Sequence, residues 1–390
     1  MNLISDLHLH SKYDVGCSKK MDIENISYFA KIKGIDLVGT GSFTHKTYLN
    51  ELKKIFSPQN PDEEFYKYKN TFFVPTAEIN NVFEQKGKKR RIHNLIILKS
   101  FEECDQFLNL IKNFSSPGND GRLCVRLDLP STIDYLLEVN KKALFIPAHI
   151  WTPWYGLLGS RSGFSSFKEA FLDRLNFVYA YESGLSSDPP MNWSCSFLDD
   201  FALVSFSDAH SPQNLGREAT IFELEKLNFD SLFESIKNKK IIKTIEFFPQ
   251  EGKYYATGCR NCKIVFENLE LVRCPRCNKK LTTGVLARIN SLADRKIGYR
   301  PKNAPDFVSI VPLKKLIAFS YQISENSNLV NKIYFEMISK FKNEFNILLN
   351  EPISNLTKYN KAVALSIKKM RNKKLKIKPG FDGIFGSVSP

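Results

Sequence analysis

The chain has 390 residues and a formal net charge of +15, with 43% hydrophobic and 25% charged residues. That composition excludes a disordered or fibrous chain, and the length suggests two or three domains with ample core. No apolar run approaches the roughly 18 residues of a membrane span, and Met1 already belongs to the first apolar run, so a cytoplasmic protein without a signal peptide or membrane partner is expected. The cationic balance favours a polyanionic partner, nucleic acid before membrane.

Residues 2–7 read as a strand ending in Asp6-Leu7-His8-Leu9-His10-Ser11. Residues i and i+2 of a strand share a face, so His8 and His10 project together, as a metal pair needs. Six more apolar runs follow, at 35–39, 71–77, 94–98, 143–149, 177–183 and 202–207. Helix-like stretches, such as 23–33, 101–114 and 165–174, lie between most of them. Repeated βα units predict an α/β fold with a parallel sheet or barrel, and seven runs favour a distorted seven-stranded barrel. Polar chemistry collects after the runs: His8 and His10, Ser42 and His45, Glu78, His149, Glu182, Asp208 and His210. A closed α/β barrel places its active site at that end of its strands.

The segment 86–91 reads as a hairpin tip. Its Lys88, Lys89, Arg90 and Arg91 form either a solvated turn or a phosphate clamp beside His93. Trp151 and Trp154 follow His149, and Trp193 closes the loop 184–193. Aromatics in such loops anchor them by default. Beside a metal site on a basic protein they could instead wall a pocket for a flipped base.

From Glu251 the texture changes. Cys259, Cys262, Cys274 and Cys277 form two CxxC knuckles separated by eleven residues. With no secretion expected, they read as a closed tetrahedral zinc site of structural rather than catalytic type. Helical material is expected at 284–295 and 330–349. A basic stretch at 358–378, either a solvated helix or a backbone contact with nucleic acid, leads into Pro379-Gly380-Phe381-Asp382-Gly383-Ile384-Phe385-Gly386. The expected domains are a barrel over 1–245, a four-cysteine domain over 246–285 and a basic helical domain over 286–390.

The candidate ligands are His8, His10, Glu78, His93, His149, Asp208 and His210. Imidazoles and carboxylates together suit Zn, Mn or Fe, and the isolated Glu78 is the candidate bridge. Two ions about 4 Å apart can hold a phosphate, activate a water and stabilise the leaving oxygen. Phosphate-ester hydrolysis is therefore the expected chemistry. Amide hydrolysis or deamination on a similar barrel is its nearest competitor.

The Asp6–Ser11 motif, Glu78, His93, His149 and Ser207-Asp208-Ala209-His210 resemble the PHP phosphoesterases. The stretches 39–45, 147–154 and 184–193, the four-cysteine module and the segment 379–386 narrow the resemblance to the endonuclease Q family, over essentially the whole chain. The resemblance implies a PHP barrel, a zinc domain and a helical C-terminal domain. It also implies a DNA repair endonuclease that cleaves 5′ of hypoxanthine, uracil, xanthine or an abasic site. Carried over residue by residue, His8, His10, Glu78 and Asp208 hold one ion and Glu78, His93 and His149 a second, with Glu78, Asp208 and His149 at the centre of catalysis. The barrel metals would be two or three ions of Zn, Mn or Mg. His210 belongs to a third site, where Ser42 replaces the family's Asp and Cys17 could supply a thiolate. Phe206 stands where the family has Asn, which would alter base choice if that Asn reads the lesion. Ser186 keeps the family's serine. A small-monoester phosphatase and a lesion-binding protein with a degenerate metal site are the alternatives. A sliding-clamp partner has no legible peptide.

Overall fold

The computed structural model describes residues 1–119, 121–266 and 271–390. Residues 267–270 of the expected four-cysteine domain lie outside that description. The seven apolar runs become strands around one apolar interior. Strands β1 (Asn2–Asp6), β2 (Leu37–Gly39) and β3 (Thr71–Val74) pair in parallel. The chain continues into β4 (Thr76–Gln85) and returns as β5 (Lys88–Ile97), whose second half pairs with β6 (Leu144–Pro147). Strands β7 (Ala180–Glu182) and β8 (Ala202–Val204) form a further parallel pair.

Alternation fills the interior. Leu95 and Ile97, Leu144 and Ile146, and Ala202 and Val204 are each spaced by two, Leu3 and Leu7 by four, and all lie in one buried cluster with Leu37, Val74 and Ala180. Residues spaced by two share a strand face, so each strand turns its small or branched side chains inward, as in a filled barrel. Backbone hydrogen bonds hold the barrel strands in three groups, and side-chain packing joins the groups. The fold is thus an α/β, distorted seven-stranded barrel, with a four-cysteine module and a helical C-terminal region.

The expectation of parallel strands needs a correction. Strand β5 runs antiparallel to β4 and β6. The cause is the turn Lys86-Gly87, with φ of 53° and 69°, since a two-residue turn with both φ positive closes a tight hairpin. The start of run 94–98, not its end, therefore faces the site, which is why His93 precedes its apolar run. Strand β9 (Ala219–Glu223) is antiparallel to β1, and β10 (Ile241–Glu246) to β9.

The C-terminal region is stitched to the barrel. Strand β11 (Asp306–Ser309) pairs in parallel with β10. Helices Leu313–Tyr321, Asn328–Phe341, Ile353–Tyr359 and Lys361–Arg371 follow. The helical material expected over 330–349 is interrupted after Phe341, where Lys342 takes a φ of 74° that no helix tolerates, and resumes as the π-helical turn Asn346–Asn350. On the barrel side, α1 (Ile23–Lys33) is capped by Asp22, and its Lys33 ammonium pairs with Glu344 at 2.7 Å, both buried. Glu344 also accepts from Tyr334 Oη and from the Leu313 amide. Among the described residues no helix is long and apolar enough to cross a membrane.

Candidate active site

Asp6 closes β1. Its buried carboxylate accepts the amides of Ser207 and Gly216, both at 2.9 Å, which ties the end of β1 to the loop after β8. The two motifs then run side by side: Leu9 bridges Ala209 in parallel, and the His10 amide donates to the Ala209 carbonyl at 3.0 Å. His8 and His10 thus face Asp208 and His210, with the His10 and His210 rings 4.2 Å apart. His10 Nε2 lies 2.9 Å from Asp208 Oδ1.

Glu78 sits at the centre, wholly buried. In the β4–β5 ladder it lies opposite Leu95, two positions from His93 on the same face. His93 Nδ1 is 2.7 Å and His149 Nε2 2.9 Å from Glu78 Oε1, and His8 Nε2 is 3.7 Å from the same oxygen. His10 Nε2 is 3.5 Å from Oε2, which also takes the Arg122 guanidinium. Burial alone would push the Glu78 carboxyl up. Arg122 and the ring of histidines overcome it and hold the group well below its usual range, as an anion.

The imidazoles are oriented for ligation. His8 Nδ1 is fixed by Glu182 at 2.9 Å, leaving Nε2 toward Glu78 and Asp208. His149 Nδ1 is fixed by the Thr152 hydroxyl at 2.9 Å, leaving Nε2 toward Glu78. An imidazole held through its other nitrogen is the usual second layer of a metal site. His93 is driven toward neutrality by burial. Among the described residues, His8 Nε2 and His93 Nε2 are buried without a hydrogen-bond partner. Such atoms are costly in a protein core unless something satisfies them, and a cation suits an imidazole nitrogen facing carboxylates. The donor atoms of His8, His10 and Glu78 lie within 4.8 Å of one another, as do those of Glu78, His93 and His149, and those of His10, Cys17 and His210. The residues therefore fit divalent ions.

His149 takes a φ of 31° and Asp208 one of 49°. The first is accommodated by Gly184, whose missing Cβ would lie 2.4 Å from that of His149.

Three residues were not assigned from sequence. Glu182 accepts the His149 amide at 2.7 Å as well as His8, so one buried carboxylate orients two ligands. Its position at the end of run 177–183 was the available signal. Asp14 accepts from the Ser42 hydroxyl and the Ser11 amide and pairs with His10 Nδ1 at 3.2 Å. Ser42 thus holds a carboxylate, that of Asp14, against the ring of His10. Arg122 reaches Glu78 and His10 from the loop before the short strand Leu123–Val125, and nothing in the sequence signalled it.

Other expected contacts are corrected. Trp151 is fully buried, and its indole N–H donates to Asn192 at 2.7 Å, so it anchors the loop. Phe206 is fully buried in the barrel interior against Phe222 and presents no surface to a substrate. Arg90 is buried, with its guanidinium on the carbonyls of Ser162 and Gly163 and over the Phe164 ring, so it holds a loop rather than a phosphate. Lys88, Lys89 and Arg91 are exposed, Trp154 is 38% exposed, and Ser186 is half-buried. His45 caps the helix Lys46–Phe56 and stacks on Tyr13.

In the four-cysteine module, Cys259 Sγ lies 3.6 Å from Cys277 Sγ, and Cys262 Sγ 3.8 Å from Cys274 Sγ. A tetrahedron with Zn–S bonds of about 2.3 Å has edges of about 3.8 Å, so the sulfurs fit zinc.

The barrel thus carries, at one end of its strands, a buried histidine–carboxylate cluster that fits divalent ions. A family model described as the MJ0043 C-terminal domain matches residues 312–374. The MJ0043 protein of Methanocaldococcus jannaschii is 32% identical over 271 residues, which make up 65% of this chain but 34% of that protein. The chain thus spans about a third of that longer relative. YqxK of Bacillus subtilis is 26% identical over 100% of this chain and 99% of its own. Among solved structures, the lesion-specific endonuclease PfuEndoQ of Pyrococcus furiosus superposes with a TM-score of 0.89 at 30% identity, over 100% of this chain and 95% of that one. An endonuclease Q complex with a 27-mer duplex bearing an abasic lesion at its active site matches with the same TM-score and identity, over 96% of its chain. This chain belongs to the endonuclease Q family.

Proposed function

We propose that the protein is a metal-dependent DNA repair endonuclease that hydrolyses the phosphodiester 5′ of an abasic site or of a deaminated base (hypoxanthine, uracil or xanthine). The observation that carries the reading is Glu78. Two donor triads share this one buried carboxylate, in a chain that matches endonuclease Q along its whole length. His8, His10, Glu78 and Asp208 would hold one ion, and Glu78, His93 and His149 a second. His210 and Cys17 would belong to a third site, beside the Asp14–His10 pair. Divalent ions held there supply Lewis-acid activation of the phosphodiester and of the attacking water.

The protein's own part is orientation. Glu182 and Thr152 fix the imidazole rings, and Asp6 fixes the loop that carries Asp208. Lys88, Lys89 and Arg91 at the hairpin tip would hold the DNA backbone. Trp154 and Ser186 would line the place of an extruded base, whose unstacking costs least at a damaged pair.

The test is incubation of metal-replete protein with end-labelled duplexes carrying one abasic site, one hypoxanthine, one uracil or no lesion. A nick immediately 5′ of the lesion, absent with His8→Ala, is the expected result. Intact strands in Mg, Mn and Zn alike would refute the reading for these lesions.

A further inference from the structure

The segment 379–386 takes no part in the site described above, yet it is built with unusual constraint. The amide of Gly380 donates to the Gln250 carbonyl, that of Gly383 to Lys253, that of Gly386 to Glu251, and that of Ala256 to the Gly380 carbonyl, all at 2.8–3.0 Å. Asp382 accepts the Arg260 amide at 2.9 Å. A Cβ on Gly380 would lie 2.4 Å from the Gly252 carbonyl oxygen, and one on Gly386 would lie 2.1 Å from that of Gln250. Only glycine allows these approaches. The turn is thus locked to the edge of the four-cysteine module. What it displays is apolar: Ile384 is 38% and Phe385 72% exposed. A large hydrophobe on a frayed terminus needs no explanation, but one held out by a locked turn does.

The surroundings identify an occupant. The Lys253 ammonium lies 5.7 Å from the centroids of both the Phe385 and the Tyr254 rings. Tyr254 meets Trp154 edge-on at 4.7 Å, and the next residue, Tyr155, stacks on the metal-ligand candidate His93 at 4.3 Å. A path of rings and one cation therefore runs from the metal cluster to Phe385. Exposed Arg260, Lys376 and Lys378 flank it. Aromatic rings interleaved with cations suit unstacked bases on a phosphate backbone, and apolar side chains that enter a base step open it.

We infer that Phe385, carried on the locked turn with Lys253, Tyr254 and Trp154, forms a stacking surface that enters the damaged duplex beside the lesion and stabilises its opened step. The inference rests on the DNA reading above and adds a contact outside the metal site.

The test measures binding of the full chain by fluorescence anisotropy on abasic duplexes without added metal. It also follows 2-aminopurine placed in turn on each side of the lesion. The wild type is expected to raise 2-aminopurine emission at one flanking step. Phe385→Ala should abolish that rise and weaken binding by at least about fivefold, the lower end of a lost base–aromatic stack, while Phe385→Trp should retain both. If the wild type nicks lesion strands but Phe385→Ala matches it in affinity and emission, the surface is overturned and the nuclease reading stands. The turn would then belong to a protein partner. If no duplex is nicked but the emission still depends on Phe385, the nuclease reading fails and the surface stands. Absence of any DNA binding by the wild type overturns both.

Discussion

The protein holds two clusters of candidate metal ligands that are built in opposite ways. The four cysteines come from one short segment, and the buried apolar core around them is Cys259, Cys274 and Leu281. The barrel cluster draws His8 and His10, Glu78, His93, His149, and Asp208 and His210 from five separate places in the chain. Each sits above a strand whose inward residues are already packed. In the first region metal would hold the fold together. In the second the fold holds ligands ready for metal.

The largest effect that tests this contrast lies in the cysteine module. Cys274→Ser, or stripping by a strong chelator, should unfold the segment around 258–282 while the barrel stays intact. Structural zinc carries about 10 kcal/mol or more of folding energy in such modules. New protease cleavage inside that segment, with barrel-centred melting unchanged, is the expected pattern. A module that stays protected without metal would break the contrast.

Next comes Glu182→Gln. It leaves every donor in place but loosens the ring of His8 and the backbone of His149. Second-layer substitutions of this kind cost about 10- to 100-fold in metal affinity or activity. Metal titration should show that loss with little change in melting temperature, whereas an unaltered affinity would remove Glu182 from the site.

The two regions should also respond to pH in opposite directions. Burial holds the Glu246 carboxyl up at about 8, and burial together with Glu246 raises Glu218 as well. The folded barrel keeps protons that the unfolded chain releases near 4.5. Their stabilising contribution is complete below that value and is lost as pH rises through about 8. Melting temperature should therefore fall between about pH 6 and 8.5, and Glu246→Gln should flatten the slope. The cysteine module needs thiolates, so it should release zinc as pH falls. A barrel whose stability rises with pH over that interval would contradict the assignment.

The smallest expected effect is at the hairpin tip. Lys88→Ala and Lys89→Ala should each lower the salt dependence of DNA binding by about one phosphate contact, leaving lesion choice unchanged. Arg90→Ala should instead destabilise the 159–164 loop that it braces, which thermal melting would show.

The contrast also explains what could be read from the sequence. CxxC knuckles are local, so spacing alone assigns them. The barrel runs and most of its candidate ligands were legible because alternation and the polar ends of the runs carry the signal. His93 was legible as a residue, but its strand direction depended on the Lys86-Gly87 turn. Side-chain fate depended on neighbours far apart in sequence. Trp151 turns inward to Asn192, and Phe206 continues the barrel-facing phase of Ala202 and Val204. Arg122 joins Glu78 across 44 residues with no pattern to announce it. Asp14, four residues after His10, becomes meaningful only when Ser42 is seen to donate to it.

The most direct test of the central claim is metal stoichiometry in Glu78→Ala against the wild type, read by elemental mass spectrometry after reconstitution. Shared ligation predicts two or three barrel ions plus one in the cysteine module for the wild type. It predicts that the variant keeps the cysteine-bound ion and loses at least the two that share Glu78, with nicking reduced by a thousandfold or more, about 4 kcal/mol in transition-state terms. A variant that retains the wild-type metal count would show that Glu78 is not the bridge on which the barrel site is built.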